Sequence, residues 1–290
     1  MYRPDKLRDS PIVWIGGKKK AFEKIVQYFP VGLTEMVSPF AGGAGIEINM
    51  AEAGIRVHAY DADIRLVNFF QQLQKDPDKL IETIRENWTI LDNGKWTISE
   101  ETRYLFKERE QAGQLNDFEL AVGFWLWNRC IGLGLMSREK GHYERSYVVG
   151  GKVEDNIKQG LPDNFTIQQM DFETVLRSHI DEFMYIDPPY VSHQESNMAT
   201  YGYKGWLSKD FDHLLLRDML THRMNWVMSL DDVPATRELY EGHRMAKPSW
   251  FYHSSNVHGH GRETEDTDKE LLIFSRDLNP DEILKTKGPL

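Results

Sequence analysis

The chain has 290 residues, a mass of 33.8 kDa, a net charge of −10 and a pI of about 5.5. This length allows one large domain or two smaller ones with an ample core, and the acidic balance argues against a protein broadly coated with nucleic acid. The single cysteine, Cys130, excludes an intrachain disulfide. The charged N-terminus and the lack of an apolar run of about 20 residues favour a cytoplasmic protein without a membrane span.

The chain opens with α/β signals. Residues 14–18 read Trp-Ile-Gly-Gly-Lys, which taken alone is most typical of a buried tryptophan before a basic turn. A short strand is predicted over Leu33–Val37, and it runs into the glycine-rich segment Pro39–Gly45 and then into a helix that begins near Ile46. Glycine permits tight turns and lets a ligand approach the backbone closely.

The next predicted strand, Val57–Asp61, ends in an acid about eighteen residues after the glycines, the spacing at which a Rossmann-like unit places a carboxylate on a ribose. The glycines do not match G-x-G-x-x-G and no P-loop lysine follows them, so a plain dinucleotide or ATP site is a poor match. Alone, the glycine segment is as compatible with a structural turn as with a cofactor loop.

The middle of the chain is predicted to be helical, and strands recur after it. Helices are predicted over Ile64–Leu73, Pro77–Glu86, Glu100–Ala112 with Ser99 as N-cap, Phe118–Ile131, and Lys209–Thr221 with Ser208 as N-cap. The later strands are predicted at Phe165–Gln168, Phe183–Ile186, Trp226–Leu230 and Leu271–Phe274. The aromatic residues of Phe118–Ile131 are assigned to the core.

Residues 187–190 read Asp-Pro-Pro-Tyr and follow the apolar strand Phe183–Ile186, which places them at the edge where open α/β sheets bind ligands. A carboxylate can accept a hydrogen bond from an amine, the proline pair fixes the direction of the Pro188 carbonyl, and the Tyr190 ring offers a stacking face. These features suit a grip on the exocyclic amine of a nucleobase. An isolated motif of this kind is equally compatible with a strand that ends in a proline turn.

In their order along the chain, residues 14–18, the Pro39–Gly43 turn, Asp61 and the Asp187–Tyr190 motif resemble the Dam-type DNA adenine methyltransferases. In that family the motifs occur in this order, with a target-recognition insertion between the glycine loop and the DPPY motif. Met170–Phe172 is similar to the family's acidic segment near the adenine of S-adenosylmethionine.

The resemblance implies an α/β fold with a Rossmann-like class I methyltransferase sheet and an inserted, mainly helical target-recognition domain. We expect residues 1–65 and 164–290 to form the catalytic domain and residues 66–163 to form the insertion. The implied reaction is methyl transfer from S-adenosylmethionine to the 6-amino group of an adenine flipped out of double-stranded DNA, in the cytoplasm of a bacterial or phage-infected cell. We expect a monomer or a weak dimer, and whether a cognate restriction endonuclease exists stays open.

The resemblance also implies site residues. The catalytic residues are Asp187, Pro188, Pro189 and Tyr190. The residues that bind S-adenosylmethionine are Trp14, Gly16, Gly17, Lys18, Pro39, Phe40, Gly42, Gly43, Asp61, Asp171, Phe172 and Asp187. No metal is expected, because the sulfonium is already activated, and the histidine-containing run His253–Arg262 is interpreted as a polar loop.

One segment of this acidic chain is locally basic. Between residues 128 and 152, five basic residues stand against two acids, with glycines and tyrosines between them. Because the segment lies between the methyltransferase motifs, we predict that it contacts DNA. The predicted contacts are Asn128, Arg129, Arg138, Lys140 and Arg145.

The sequence leaves two rival functions open. The first is an amino methyltransferase that acts on RNA or protein, against which the long insertion argues. The second is a catalytically inactive DNA-binding relative, against which the intact motifs argue. The family's segment after Asn-Arg continues to Asn-Gly-Leu, whereas Asn128-Arg129 here continues to Leu133-Gly134-Leu135, so the target sequence does not transfer.

Overall fold

A computed structural model describes residues 2–14, 16–87, 89–90, 96–97, 99–130, 151–192, 211–248 and 270–287. The strands are β1 Glu35–Ser38, β2 Arg56–Asp61, β3 Thr89–Ile90, β4 Trp96–Thr97, β5 Phe165–Gln169, β6 Met184–Ile186, β7 Trp226–Asp231, β8 Arg244–Ala246 and β9 Glu270–Phe274. The helices are a 3₁₀ turn Lys18–Ala21, α1 Phe22–Val26, α2 Gly45–Glu52, α3 Ile64–Lys75, α4 Pro77–Glu86, α5 Glu100–Gln111, α6 Asp117–Cys130, α7 Gly151–Lys158, α8 Phe172–Ser178, α9 His213–Leu220, α10 Pro234–Leu239 and α11 Pro280–Lys287.

Seven strands form one mixed sheet in the order β5-β2-β1-β6-β7-β9-β8, and β3 and β4 pair separately. The first five strands of this order are parallel, whereas β9 runs antiparallel to both of its neighbours. The chain leaves β1 towards β2 on one side and later returns to β6 on the other side, where Val37 is in register with Met184. The predicted Rossmann-like sheet is confirmed, and its topological switch point lies between β1 and β6.

The central strands form because most of their residues are apolar. All residues of β6 and β7 are buried, as in parallel strands covered on both faces, and the last strand, β9, is buried as well. Successive side chains along a strand point to opposite faces of the sheet, so the buried residues form two apolar clusters, one on each face. Tyr185 belongs to the cluster on one face, and its neighbours Met184 and Ile186 belong to the cluster on the other.

The helices between β2 and β5 share their core with the sheet. Phe69 and Phe70 of α3 and Trp125 of α6 are fully buried in the same apolar cluster as Val57 and Phe165 of the sheet. The Phe70 and Phe165 rings lie 6.4 Å apart between centroids. Helices α3 and α6 therefore share one apolar core with the sheet, and the predicted boundaries of the insertion stay a prediction.

Helix α6 also holds the segment that leads into Trp14. The indole Nε1 of Trp125 donates to the carbonyl of Pro11 at 2.9 Å. Asn128 is fully buried, accepts from the backbone N–H of Val13 at 2.9 Å and donates to the Val13 carbonyl at 2.8 Å. The assignment of Trp125 to the core is confirmed, and its polar edge positions a distant loop.

The prediction of a helix from residue 209 with Ser208 as N-cap is wrong in its starting point. Helix α9 begins at His213, and the Asp212 carboxylate caps it by accepting from the backbone N–H of Leu215 at 2.8 Å. Ser208 itself lies outside the described residues. Serine and aspartate are similarly good N-caps, so the pattern alone could not choose between the two starting points.

We expect Asn128→Ala to lower the free energy of unfolding by about 1–3 kcal/mol, because it leaves the half-buried N–H and C=O of Val13 without this partner. Denaturant unfolding monitored by circular dichroism measures this. Asn116→Ala is the matched control: its exposed side chain caps α6 through the Glu119 N–H, and its loss is expected to cost about 1 kcal/mol. Unchanged stability in Asn128→Ala would contradict the positioning role and favour a direct contact with DNA.

Candidate active site

A cleft of about 260 Å³ opens at the carboxyl edge of the sheet. This is far larger than the space of about 10–15 Å³ that a single water needs, so the cleft can hold a small molecule. Its walls come from the ends of β1, β2 and β6, from the first turn of α2 and from the N-terminal segment around residue 18. The cleft thus lies beside the switch point between β1 and β6, where open α/β sheets bind ligands.

The cleft contains every residue for which the sequence predicted contact with the cofactor. These are Trp14, Gly16, Gly17, Lys18, Pro39, Phe40, Gly42, Gly43, Asp61, Asp171, Phe172 and Asp187. Pro188 and Pro189 line it as well. Residues from five separate parts of the chain therefore meet around one space, as their predicted positions at strand ends require.

The glycine turn and Trp14 are built to fit each other. Gly42 has a φ of +46°, and a Cβ added to it would lie 2.6 Å from the Trp14 Nε1. A Cβ on Gly43 would lie 2.8 Å from the Trp14 Cβ. These glycines are required by the close approach of the tryptophan as well as by the backbone turn, so residues 14 and 42–43 form a single wall of the cleft.

Asp61, at the end of β2, ties the glycine turn to the second strand. One carboxylate oxygen accepts from the Gly42 N–H at 2.9 Å, and the other accepts from the Asp63 N–H at 2.9 Å. Burial raises the pKa of Asp61 to about 6, although these backbone hydrogen bonds oppose the shift. Each oxygen keeps a further acceptor position, so the carboxylate can also accept from a ligand hydroxyl.

An aromatic group lines the cleft. Phe40 stacks on Phe172 with ring centroids 5.7 Å apart, and Phe211 contacts both rings. The Asp171 carboxylate caps α8 by accepting from the Thr174 N–H at 2.9 Å, and this bond lowers the pKa of Asp171. Flat apolar rings at this position suit a nucleobase, whereas the Asp171 side chain already has a structural partner.

At the other side of the cleft, Lys18 is 4% exposed and its ammonium group lies among oxygen atoms. The Nζ atom is 2.9 Å from an Asp187 carboxylate oxygen, 2.8 Å from the Tyr190 hydroxyl and 3.0 Å from the Gly16 carbonyl. The other Asp187 oxygen accepts from the Ser229 hydroxyl at 2.8 Å. These donors fix the orientation of the Asp187 carboxylate and leave acceptor positions on it for a further donor.

Two acids that the sequence did not assign support the DPPY motif. The Tyr190 hydroxyl donates to Glu270 of β9, whose carboxylate is 3.7 Å from the Lys18 ammonium. Asp231, at the end of β7, accepts from the backbone N–H groups of Val191 and Ser192 at 3.1 and 3.0 Å. A charge at the end of an otherwise apolar strand is the signal that could have identified both acids.

Glu47, in the first turn of α2, is a third acid that the sequence did not assign. It is 3% exposed, lines the cleft and accepts from the Ser38 hydroxyl at 2.7 Å. Burial is the main reason that the pKa of Glu47 is raised to about 7, and the nearby charge of Asp187 adds to this shift while Lys18 opposes it. The cleft therefore contains a carboxyl group that titrates close to neutral pH.

The residues predicted to contact DNA are only partly described. Asn128 is buried against Val13, as above, and the guanidinium of Arg129 lies 5.7 Å from the Trp125 ring centroid. Arg138, Lys140 and Arg145 lie outside the described residues, as does His253–Arg262. Within the described ranges, no helix is long and apolar enough to cross a membrane.

Comparison with known proteins identifies similar sequences. The family model of the D12 class N6 adenine-specific DNA methyltransferases matches residues 14–254 of the sequence. The chain is similar to the type II methyltransferase M1.LlaDCHI of Lactococcus lactis subsp. cremoris, at 24% identity over 81% of this chain and 85% of that protein. It is also similar to the modification methylase StsI of Streptococcus sanguinis (23% identity, 96% of this chain, 44% of that protein) and to the type II methyltransferase M.CviBI of Paramecium bursaria Chlorella virus NC1A (22%, 81% and 87%).

We expect Glu47→Gln to stabilise the protein at about pH 8 by about 1–3 kcal/mol, and much less at about pH 5. The folded pKa of about 7 lies above the ordinary value of 4.5, so the folded state binds more protons between these values and stability falls as pH rises through this window. Glutamine keeps the size of the side chain and removes the cost of the buried charge. Thermal unfolding at both pH values measures the difference.

Glu52→Gln is the matched control, because Glu52 lies on the same helix, is more exposed and pairs with Arg8. This variant is expected to lose a little stability to a similar extent at both pH values. An equal shift for Glu47→Gln at pH 5 and pH 8 would show that Glu47 is not a titrating buried acid.

Proposed function

The chain belongs to the D12 class of N6 adenine-specific DNA methyltransferases, and on that premise we propose which residues perform the reaction. The cleft binds S-adenosylmethionine, and the Asp187–Tyr190 motif receives the target adenine beside it. One observation carries this proposal: all the residues predicted to bind the cofactor line one cleft, and that cleft ends at Asp187.

The donors and acceptors of the cleft fit S-adenosylmethionine, the cofactor that this kind of methyltransferase generally uses. Phe40 and Phe172 provide flat surfaces for its adenine, and Asp61 provides acceptor positions for its ribose hydroxyls. Towards Asp187 the lining becomes charged, with Lys18 and Glu47, which suits an amino-acid end that carries both an ammonium and a carboxylate group. The nucleoside end therefore lies towards β2 and β5, and the methionine end towards β6.

When bound, S-adenosylmethionine supplies an electrophilic methyl group on a sulfonium. The residues of the chain act on the adenine amine, whose lone pair is normally delocalised into the ring. Asp187 and the Pro188 carbonyl accept hydrogen bonds from that amine and favour a more tetrahedral nitrogen. Positive charge that develops on the nitrogen is stabilised by the same fixed acceptors, without reorganisation of the site. The Ser229 hydroxyl and Lys18 hold the Asp187 carboxylate in place for this task.

The target amine cannot be reached inside a duplex, so the adenine is flipped out at a cost of a few kcal/mol. Tyr190 offers a stacking face for the extruded base. Its hydroxyl is held by Lys18 and Glu270, which restrains the ring to one orientation. Glu270 also balances part of the charge of Lys18, so the positive amine that forms in the transition state faces a less cationic site.

DNA is the substrate of this family, and we propose that the basic segment between residues 128 and 152 supplies the contacts. Arg129, Arg138, Lys140 and Arg145 are the proposed contacts. Asn128 is instead proposed to position the Val13 backbone, because the oxygen and the nitrogen of its side-chain amide are both bonded there. A monomer or weak dimer and a cytoplasmic location are also part of the proposal. So is a cognate endonuclease, since a relative is named as a modification methylase.

We expect Asp187→Asn to lower the rate of methyl transfer at least about a hundredfold, because the amide is a weaker acceptor and presents a donor to the amine. Transfer of labelled methyl groups to a mixed-sequence DNA measures the rate. Calorimetric affinity for S-adenosylhomocysteine is expected to change less than the rate. Asp181→Asn is the matched control, since this exposed acid lies in the same segment but outside the cleft. Near-normal turnover by folded Asp187→Asn would contradict the proposal.

We expect Arg138→Ala or Arg145→Ala to relax the preference for the target sequence, because arginine pairs bidentately with guanine, at about 1–3 kcal/mol per contact. Lys140→Ala should weaken binding to all sequences equally and flatten the salt dependence. Methylation of a randomised duplex library, read by sequencing, measures both effects. If the arginine variants lose activity without a change in the preferred site, these residues contact only the DNA backbone.

A further inference from the structure

Among the described acids that line the cleft, Glu47 is the one that neither the DPPY motif, nor the ribose, nor a helix cap accounts for. Asp61 is bonded to the glycine turn, Asp171 and Asp212 cap helices, and Asp187 is held by Lys18 and Ser229 for the adenine amine. Glu47 is nine-tenths buried or more, and its carboxylate accepts from the Ser38 hydroxyl and is also bonded to its own backbone N–H. Through Ser38 it lies beside the end of β1, and the charges of Asp187 and Lys18 act on it.

The order of the strands fixes which end of a ligand reaches Glu47. The sheet runs β5-β2-β1-β6, with Phe172 after β5 and Asp61 at the end of β2. A ligand whose nucleoside occupies that side extends across β1 towards β6 and presents its amino-acid end to the first turn of α2. The α-carboxylate of that end suits the backbone N–H groups of the turn, and its α-ammonium requires an acceptor.

We propose that Glu47 binds the α-ammonium group of S-adenosylmethionine and thereby selects an amino-acid-bearing nucleoside. This inference rests on the proposed function and adds a residue that determines cofactor specificity. The Ser38 hydroxyl orients one oxygen of the Glu47 carboxylate. The other oxygen would accept a hydrogen bond from the ammonium group. The charged groups around Glu47 are Asp187 of β6 and Lys18 of the 3₁₀ turn, with the neutral phenol of Tyr185 beside them.

The binding of the ammonium group should depend on pH. Glu47 has a pKa of about 7, so below neutral pH it is protonated and loses its charge as an acceptor. Asp61 also lines the cleft, with a pKa of about 6. The affinity for the cofactor should therefore fall as the pH is lowered from about 8 to about 6, mainly because Glu47 takes up a proton.

The test compares two ligands by calorimetry in the absence of DNA. S-adenosylhomocysteine keeps the ammonium group but lacks the sulfonium charge, and its deaminated analogue carries hydrogen in place of the amine. At about pH 8 we expect Glu47→Gln to lower the affinity for S-adenosylhomocysteine about tenfold or more. The affinity for the deaminated analogue should stay within about twofold of the wild-type value. Binding should depend less on pH in this variant than in the wild type. Glu52→Gln should behave as the wild type with both ligands.

The possible results separate the inference from the function on which it rests. Equal losses for both ligands in Glu47→Gln, or no loss for S-adenosylhomocysteine, would overturn the role of Glu47 while leaving the methyltransferase assignment intact. Failure of the wild type to bind either S-adenosylmethionine or S-adenosylhomocysteine would overturn the proposed cofactor site itself. Because Glu47→Gln is expected to be more stable than the wild type at this pH, weaker binding by it cannot be ascribed to unfolding.

Discussion

The buried ammonium group of Lys18 is the constraint on which the arrangement of the site depends. A charge removed from water requires oxygen partners, and breaking a buried pair costs about 3–5 kcal/mol. The partners of Lys18 come from the end of β6 and from β9, through Asp187, Tyr190 and Glu270. One cation thus holds together segments from the start, the later middle and the end of the chain. The side chains of the DPPY motif therefore take up their observed positions only when β9 is in place.

Three carboxyl groups, Glu47, Asp187 and Glu270, surround this single cation, and they cannot all be ionised without a net excess of negative charge. Glu47 is the acid that responds to this excess, because burial and the charge of Asp187 raise its pKa towards neutral pH. The two acids in contact with Lys18 are paired with it. A cation that enters the cleft near Glu47 would restore the balance. The charge distribution that makes the site less stable therefore also prepares it for a positively charged ligand.

The sequence predicted the parts of this structure that follow from local patterns. Apolar runs predicted β6, β7 and β9 within one residue, and Asp61 at the end of β2 lines the same cleft as Asp187, Pro188 and Pro189. Ser229 and Glu270 were not assigned, because each acts through a partner that is remote in sequence, Asp187 and Tyr190 respectively. The start of α9 was placed too early for a different reason, since Ser208 and Asp212, four residues apart, satisfy the same local rule.

Asn128 illustrates the same limit at the boundary between the sheet and the inserted helices. Its place at the start of a basic run favoured a contact with DNA, yet its burial and its bonds to Val13 connect α6 to the Trp14 wall of the cleft. Helix α6 ends at Cys130, within the basic segment that is proposed to contact DNA. A shift of this helix would move the carbonyl of Pro11 and the backbone of Val13, and with them the tryptophan that packs on Gly42 and Gly43. The cleft and the segment that is proposed to contact DNA are therefore joined by a short, hydrogen-bonded connection, and a displacement of either would break the bonds of Trp125 and Asn128 to residues 11–13.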